Sequence, residues 1–262
     1  MRCGRAYGSR MSFDVSASAY ARFMGRYSEP LAVTFADHVD PRPGQRALDV
    51  GCGPGALTAQ LVERLGVHAV SAVDPSRSFV EATRERFPGI DVRAGVAEHL
   101  PYADHSFDLA LAQLVVHFMT DPVAGLVEMR RVTRPGGVVA ACVWDHAGTG
   151  GPLNTFWRAV HSVDPDAHDE SGLPGAREGH LAELAASAGL VEIESTSLSI
   201  DVRFRDFDDW WKPFTLGVGP AGAYVAGLEP TDRQLLKERC AQIVPAGPFE
   251  VTATAWCVRA QA

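Results

Sequence analysis

Residues 47–58 read A-L-D-V-G-C-G-P-G-A-L-T, an apolar run that breaks into Gly51, Gly53 and Gly55 at alternate positions and continues at once into helical spacing. Glycine at every second position lets the backbone turn sharply with no Cβ in the way. The first turn of the following helix carries N–H groups without intrahelical partners, so a ligand can rest on main chain and helix end together. A strand, a glycine loop and a helix in that order demand a parallel sheet with a ligand crevice beyond its strand ends.

The chain downstream repeats the alternation. A first strand is expected at 46–50 and a helix at 56–65, closed by Gly66. A second strand over 68–73 ends on Asp74, and a helix over 76–87 stops at Pro88-Gly89. Strands follow at 90–97, 107–115 and 138–144, with a helix at 122–132 before Arg134-Pro135-Gly136-Gly137. The run at 107–115 is apolar enough to be buried on both faces. Later signals are a helix at 179–188, one long or two short strands over 191–203, and a closing strand at 249–258. The expected fold is α/β, a doubly wound, mostly parallel, seven-stranded sheet. Residues 205–246 are too long for an ordinary connection and hold Trp210, Trp211, Phe214, Tyr224 and a helix at 231–244, so they read as a helical insertion over the site. The organisation is an N-terminal tail and helical lid (1–40) followed by one ligand-binding domain (41–262) with that cap-like insertion. The lid expectation rests on the aromatics of 20–27, Tyr20, Phe23 and Tyr27. The same aromatics equally suit an amphipathic helix docked on the core.

Composition narrows the partners. The formal net charge of −8 argues against nucleic acid, which wants a basic stripe. No apolar stretch is long enough to span a membrane; the longest, 109–119, is interrupted by Gln113 and His117. The five cysteines, Cys3, Cys52, Cys142, Cys240 and Cys257, form no C-x-x-C pair, which suits a reduced, cytoplasmic protein. Residues 1–10 show no signal-peptide core and read as a tail or an over-extended start, with Met11 a second candidate initiator. A monomer and a homodimer both remain compatible with the chain.

The loop itself is ambiguous. Gly51-Cys52-Gly53-Pro54-Gly55-Ala56 also fits the dinucleotide pattern G-x-G-x-x-A. Asp49 tips the balance, because a carboxylate two residues before the first glycine repels a pyrophosphate and attracts a cationic ligand or an ammonium. Asp74 closes the second strand about 20 residues beyond the loop, where an acid accepts ribose hydroxyls. Its alternative role is to cap the next helix with Pro75 at the first helical position.

Four segments in order, L-D-V-G-C-G-P-G (48–55), A-V-D-P-S (72–76), A-E-H-L-P-Y-A-D-H-S-F-D (97–108) and R-V-T-R-P-G-G (131–137), resemble the class I S-adenosylmethionine (SAM) methyltransferases. The likeness covers 46–145, fades toward 204, and is nearest the branch of the ubiquinone and menaquinone methyltransferases. It implies a Rossmann-like methyltransferase fold and SAM as cofactor. It implies cofactor contacts from Asp49, Gly51, Cys52, Gly53, Gly55, Asp74 and Pro75. Ala97 and Glu98 would sit at the adenine, and Gln113 and Leu114 at the methionine part. The family's acidic residue before that alanine is Val96 here, so Ala97 N–H or Glu98 would have to replace it. The implied reaction is transfer of the SAM methyl to a small organic acceptor by in-line displacement. The protein then mainly aligns the reactants and excludes water. His117 and His146 are the candidate general bases, since an unperturbed imidazole titrates near pH ~6.5. No pair of the nine histidines has a metal-binding spacing, and no metal is expected. One rival is an NAD(P)-dependent oxidoreductase, disfavoured by the lack of a Tyr-x-x-x-Lys pair. Another is a catalytically silent SAM-binding protein.

Overall fold

A computed structural model describes residues 22–262. Cys3, Met11, Tyr20 and the proposed tail lie outside the described residues. The first described helix, α1 (Gly25–Val39), buries Tyr27, Leu31, Phe35 and Val39 at helical spacing. Then come β1 (Ala47–Val50), α2 (Ala56–Leu65), β2 (Val70–Asp74), α3 (Arg77–Arg86) and β3 (Asp91–Ala94). The second half of the sheet starts with β4 (Phe107–Gln113), α4 (Pro122–Val132) and β5 (Thr133–Trp144). It continues with α5 (Asn154–His161), α6 (His180–Ser187) and β6 (Val191–Phe204). Three helices, α7 (Phe207–Trp211), α8 (Gly219–Gly227) and α9 (Pro230–Ile243), precede the closing strand β7 (Phe249–Gln261).

The seven strands stand in the order β3-β2-β1-β4-β5-β7-β6, a doubly wound sheet. β1 to β5 are mutually parallel, while β7 runs antiparallel to both β5 and β6. The fold is the Rossmann-like, mostly parallel architecture expected, with a helical insertion near the C-terminus. Winding reverses between β1 and β4, so their carboxyl ends open the crevice where ligands bind in such sheets.

Strand side chains alternate between two cores. Leu109, Leu111, Ala140, Cys142 and Trp144 face the layer of α1, α2, α5 and the insertion. Ala110, Ala112, Val139, Ala141 and Val143 face α4 and α6. This is why β4 is apolar at nearly every position.

Most boundaries fall within a few residues of the sequence expectation, and α2 and α4 match it. Three differences have physical causes. The R-P-G-G segment does not end before β5 but belongs to it: the ladder with β4 jumps from Phe107–Thr133 to Leu109–Val138. Gly136, at φ +73°, makes that irregularity possible without strain. The 68–69 start of β2 is a tight turn (Val67–Ala69), because Gly66 at φ +85° delays the extended backbone. Helix α5 has no counterpart in the sequence expectation.

Candidate functional site

The loop after β1 is closed by its own hydrogen bonds. Gly51 N–H and Cys52 N–H both donate to Val73 O, at 2.7 and 3.1 Å. Gly53 N–H donates to Asp74 Oδ2 at 2.9 Å, and Gly55 N–H to Cys52 O at 2.9 Å. Pro54 has no N–H. The Thr83 hydroxyl of α3 donates to Gly53 O at 2.8 Å and ties the loop down from the other side. The glycines differ in purpose. A Cβ on Gly51 would strike Val115 and one on Gly55 would strike Phe87, so these two are small for packing. A Cβ on Gly53 meets nothing within 4 Å, so only this glycine opens onto free space.

Two carboxylates flank the loop. Asp49 is not at the mouth of the crevice, as the sequence suggests, but beneath the loop at 1% exposure. It accepts a 2.6 Å hydrogen bond from the Thr58 hydroxyl of α2. Burial pushes its carboxyl up to about 7, the Thr58 bond opposes this, and the nearby Asp74 adds to it. Asp74 is also buried, and its carboxyl is raised by burial, offset by the N–H groups of Ser76 and Gly53. Ser76 N–H donates to Asp74 Oδ1 at 2.8 Å. The residue before α3 is Ser76, so Asp74 does not cap that helix and Pro75 is not its first residue. With one backbone bond to each oxygen, the carboxylate keeps lone pairs for another donor.

Across the crevice, Gln113 ends β4. Its Nε2 donates to Ser28 O of α1 at 2.9 Å, while its buried Oε1 has no partner. Leu114 follows at φ +60°, a strained conformation for a branched residue, and its N–H donates to Cys142 O at 2.8 Å.

Beyond Leu114 lies a narrow recess. Phe23, Met24, Phe118, Trp144 and Val218 give it apolar walls, and His117, His146 and Glu170 are its titratable lining. The two imidazole centroids are 5.8 Å apart. Burial lowers both: His146 to about 4 against the pull of Asp169 and Asp145, and His117 well below the usual range with His146 adding to the effect. Burial moves Glu170 the other way, up to about 7.

A loop whose amides are consumed internally has none left to wrap a pyrophosphate; only the first turn of α2 still offers open N–H groups. The site suits a ligand that meets the loop through surface and through flanking carboxylates. Comparison with known proteins gives the same answer. Residues 48–141 match the family described as "Methyltransferase domain". A demethylmenaquinone methyltransferase of Paenarthrobacter aurescens is 31% identical over 62% of this chain and 69% of its own. The chain belongs to the class I SAM-dependent methyltransferases. An uncharacterised 37.1 kDa protein from a Streptomyces fradiae transposon is 32% identical over 99% of this chain and 74% of that one. Among solved structures, a SAM-dependent methyltransferase from Thermotoga maritima shares the fold with a TM-score of 0.53 and 18% identity, covering 93% of this chain and 98% of that chain.

In the methyltransferase Asp74 is tied to Gly53 of the glycine loop, Asp49 lies beneath that loop, Gln113 ends β4, the strand paired with β1, and Leu114 lines the recess. Pro75 is exposed. Ala97 is buried, but the Glu98 carboxylate is turned to the N–H groups of Thr120 and Asp121, at 2.7 and 3.2 Å. Cys52 is a buried thiol pushed well up by burial, with its Sγ 4.0 Å from Thr83 Oγ1. His117 and His146 meet in the recess. The aromatics of the insertion serve packing. Trp210, Trp211 and Phe214 are core residues, Phe214 stacking on Phe156 at 4.4 Å, and the Tyr224 hydroxyl donates to Asp164. The insertion reaches the recess through residues 218–221 instead. Asp145 is not a ligand group either: its carboxylate accepts from Gly148 N–H, Gly150 N–H and the Trp256 indole, fixing the loop after β5. Sequence reasoning missed Thr58, Thr83, Ser28 and Glu170, which act through tertiary contacts that carry no local pattern. Among the described residues no cluster of side chains could hold a metal ion and no helix is long and apolar enough to cross a membrane.

Proposed function

We propose that this enzyme methylates a small, largely apolar organic molecule held in the recess, with SAM lying in the β1/β4 crevice. What supports this is the place of Leu114 in the chain: it follows directly on the end of β4, the strand paired with β1, and it lines the recess. The residues fit the cofactor: Gly53 leaves open space against the loop, and Gln113 Oε1 is an orphaned buried acceptor suited to an ammonium. In this reading Asp74 takes the ribose hydroxyls, Ala97 and Glu98 border the adenine, and Asp49 sets a negative charge under the methionine end. Gly51, Cys52, Gly55 and Pro75 shape the wall. Bound SAM supplies an electrophilic methyl on a positive sulfur.

The chain's own residues then orient and desolvate the acceptor. Apolar walls exclude water, and positioning of this kind lowers a barrier by about 7–11 kcal/mol when reactants are well aligned. His117 and His146, held neutral by burial, offer hydrogen bonds to the acceptor. Val218 to Ala221 and the N-terminal end of α1 cover the recess as a lid and cap. The free buried thiols of Cys52, Cys142, Cys240 and Cys257 suit a reducing cytoplasm. Thermal-shift titration tests the reading. SAM and its demethylated product are expected to stabilise the protein, NAD is not, and Asp74→Ala should weaken the SAM response. Stabilisation by NAD alone refutes it.

A further inference from the structure

Glu170 is the odd group in the recess. It sits in the run D-P-D-A-H-D-E-S (164–171), where every neighbour suggests a solvated loop. Its neighbour Asp169 behaves that way, accepting from Ser171 and facing His161 at 3.7 Å. Glu170 turns inward instead, to 4% exposure, and its Oε2 has no hydrogen-bond partner. A buried carboxylate oxygen left without a donor is costly, and each such case calls for a reason. Here the oxygen belongs to a residue lining a recess whose other walls are mostly apolar, among them Phe23, Phe118, Trp144 and Val218.

We propose that Glu170 is the proton acceptor of the reaction, and that the acceptor molecule is an apolar compound bearing a hydroxyl. The inference rests on the methyltransferase reading of the recess. As a hydroxyl oxygen uses a lone pair to bond the methyl carbon, its O–H bond breaks and the proton passes to Glu170 Oε2. The carbon–sulfur bond breaks in the same event and its electron pair stays on sulfur. The product is a neutral methyl ether. A hydroxyl fits better than the alternatives. An ammonium would pair with ionised Glu170 and be held in the form that has no lone pair. A carboxylate would be repelled by it. The histidines do not compete for the proton, because the burial that strengthens Glu170 as a base weakens both of them.

The test uses para-cresol and its methyl ether as probes with the full chain, the demethylated cofactor being present for binding and SAM for turnover. Calorimetry is expected to show wild type preferring the cresol by about 10-fold, the worth of one hydrogen bond to a charged group. Glu170→Leu should erase that preference. Glu170→Gln keeps an acceptor oxygen but cannot take a proton. It should keep a reduced, few-fold preference for cresol, with turnover lower by ~100-fold and SAM affinity unchanged. Glu170→Asp should recover part of the turnover. The proposal is overturned if wild type binds SAM but does not distinguish the probes. It is also overturned if Glu170→Gln lowers only the melting temperature, the result for a carboxylate that merely satisfies the unpaired Trp157 indole N–H nearby. Failure of SAM itself to bind would strike the underlying reading and is seen separately.

Discussion

Replacing Asp49 with asparagine should stabilise the empty enzyme and weaken cofactor binding at once. The carboxyl is buried at 1% exposure and pushed up to about 7. Raising an aspartate from near 4 to near 7 makes its ionisation harder by about 4 kcal/mol. In the unfolded chain Asp49 ionises near pH ~4, while in the folded chain it stays protonated for about three further pH units. Its contribution to stability is therefore complete below about pH 4 and falls away as pH rises through about 7. The asparagine side chain of the variant cannot ionise and escapes this loss. Near pH 4 or just below, the melting temperatures of wild type and Asp49→Asn should be close. Near pH 8 the variant should be more stable by up to about 4 kcal/mol, or roughly 8 °C for a chain of this size. Glu170 titrates in the same window, but it is present in both proteins and cancels in the difference. The positive cofactor reverses the order. It favours ionised Asp49, so wild-type affinity should rise with pH toward 8 and the variant's should be weaker and flat. Calorimetric melting and SAM titration at several pH values check both halves. A variant less stable than wild type near pH 8, or a flat wild-type affinity, refutes the argument.

Gly53→Val places a branched side chain in the open space at φ +52°. It should cost about 1–2 kcal/mol of stability and abolish SAM binding, read by melting and calorimetry. Phe214→Ala removes a fully buried ring stacked on Phe156. It should destabilise by about 3–5 kcal/mol in denaturant unfolding while leaving SAM affinity near wild type under native conditions.

The half of the site made by short-range backbone geometry was legible in the sequence. Gly55 and Gly66 punctuate α2 at both ends, and β1, β4 and the loop follow from apolar runs meeting glycines. What escaped is decided by distant partners. No local pattern says that Gly53 N–H is taken by Asp74, or that Gly51 is small because of Val115. A cluster such as Trp210-Trp211 and Phe214 looks the same whether it lines a pocket or fills a core, and only the packing of α5 against it decides for the core. That helix was itself hidden, being two turns long in a stretch rich in glycine and aspartate. Glu170 was hidden by its acidic neighbours.

The self-bonded loop has a consequence for how the cofactor arrives. Its amides, the Asp74 carboxylate and the Thr83 hydroxyl hold one another through bonds made within the chain. The conformational entropy of that loop is lost when the chain folds, not when the ligand lands. The donor site is rigid ground laid in advance. The acceptor side, assembled from the start of α1, the loops after β4 and β5, Glu170 and the insertion, is where adaptation to different guests has room to occur.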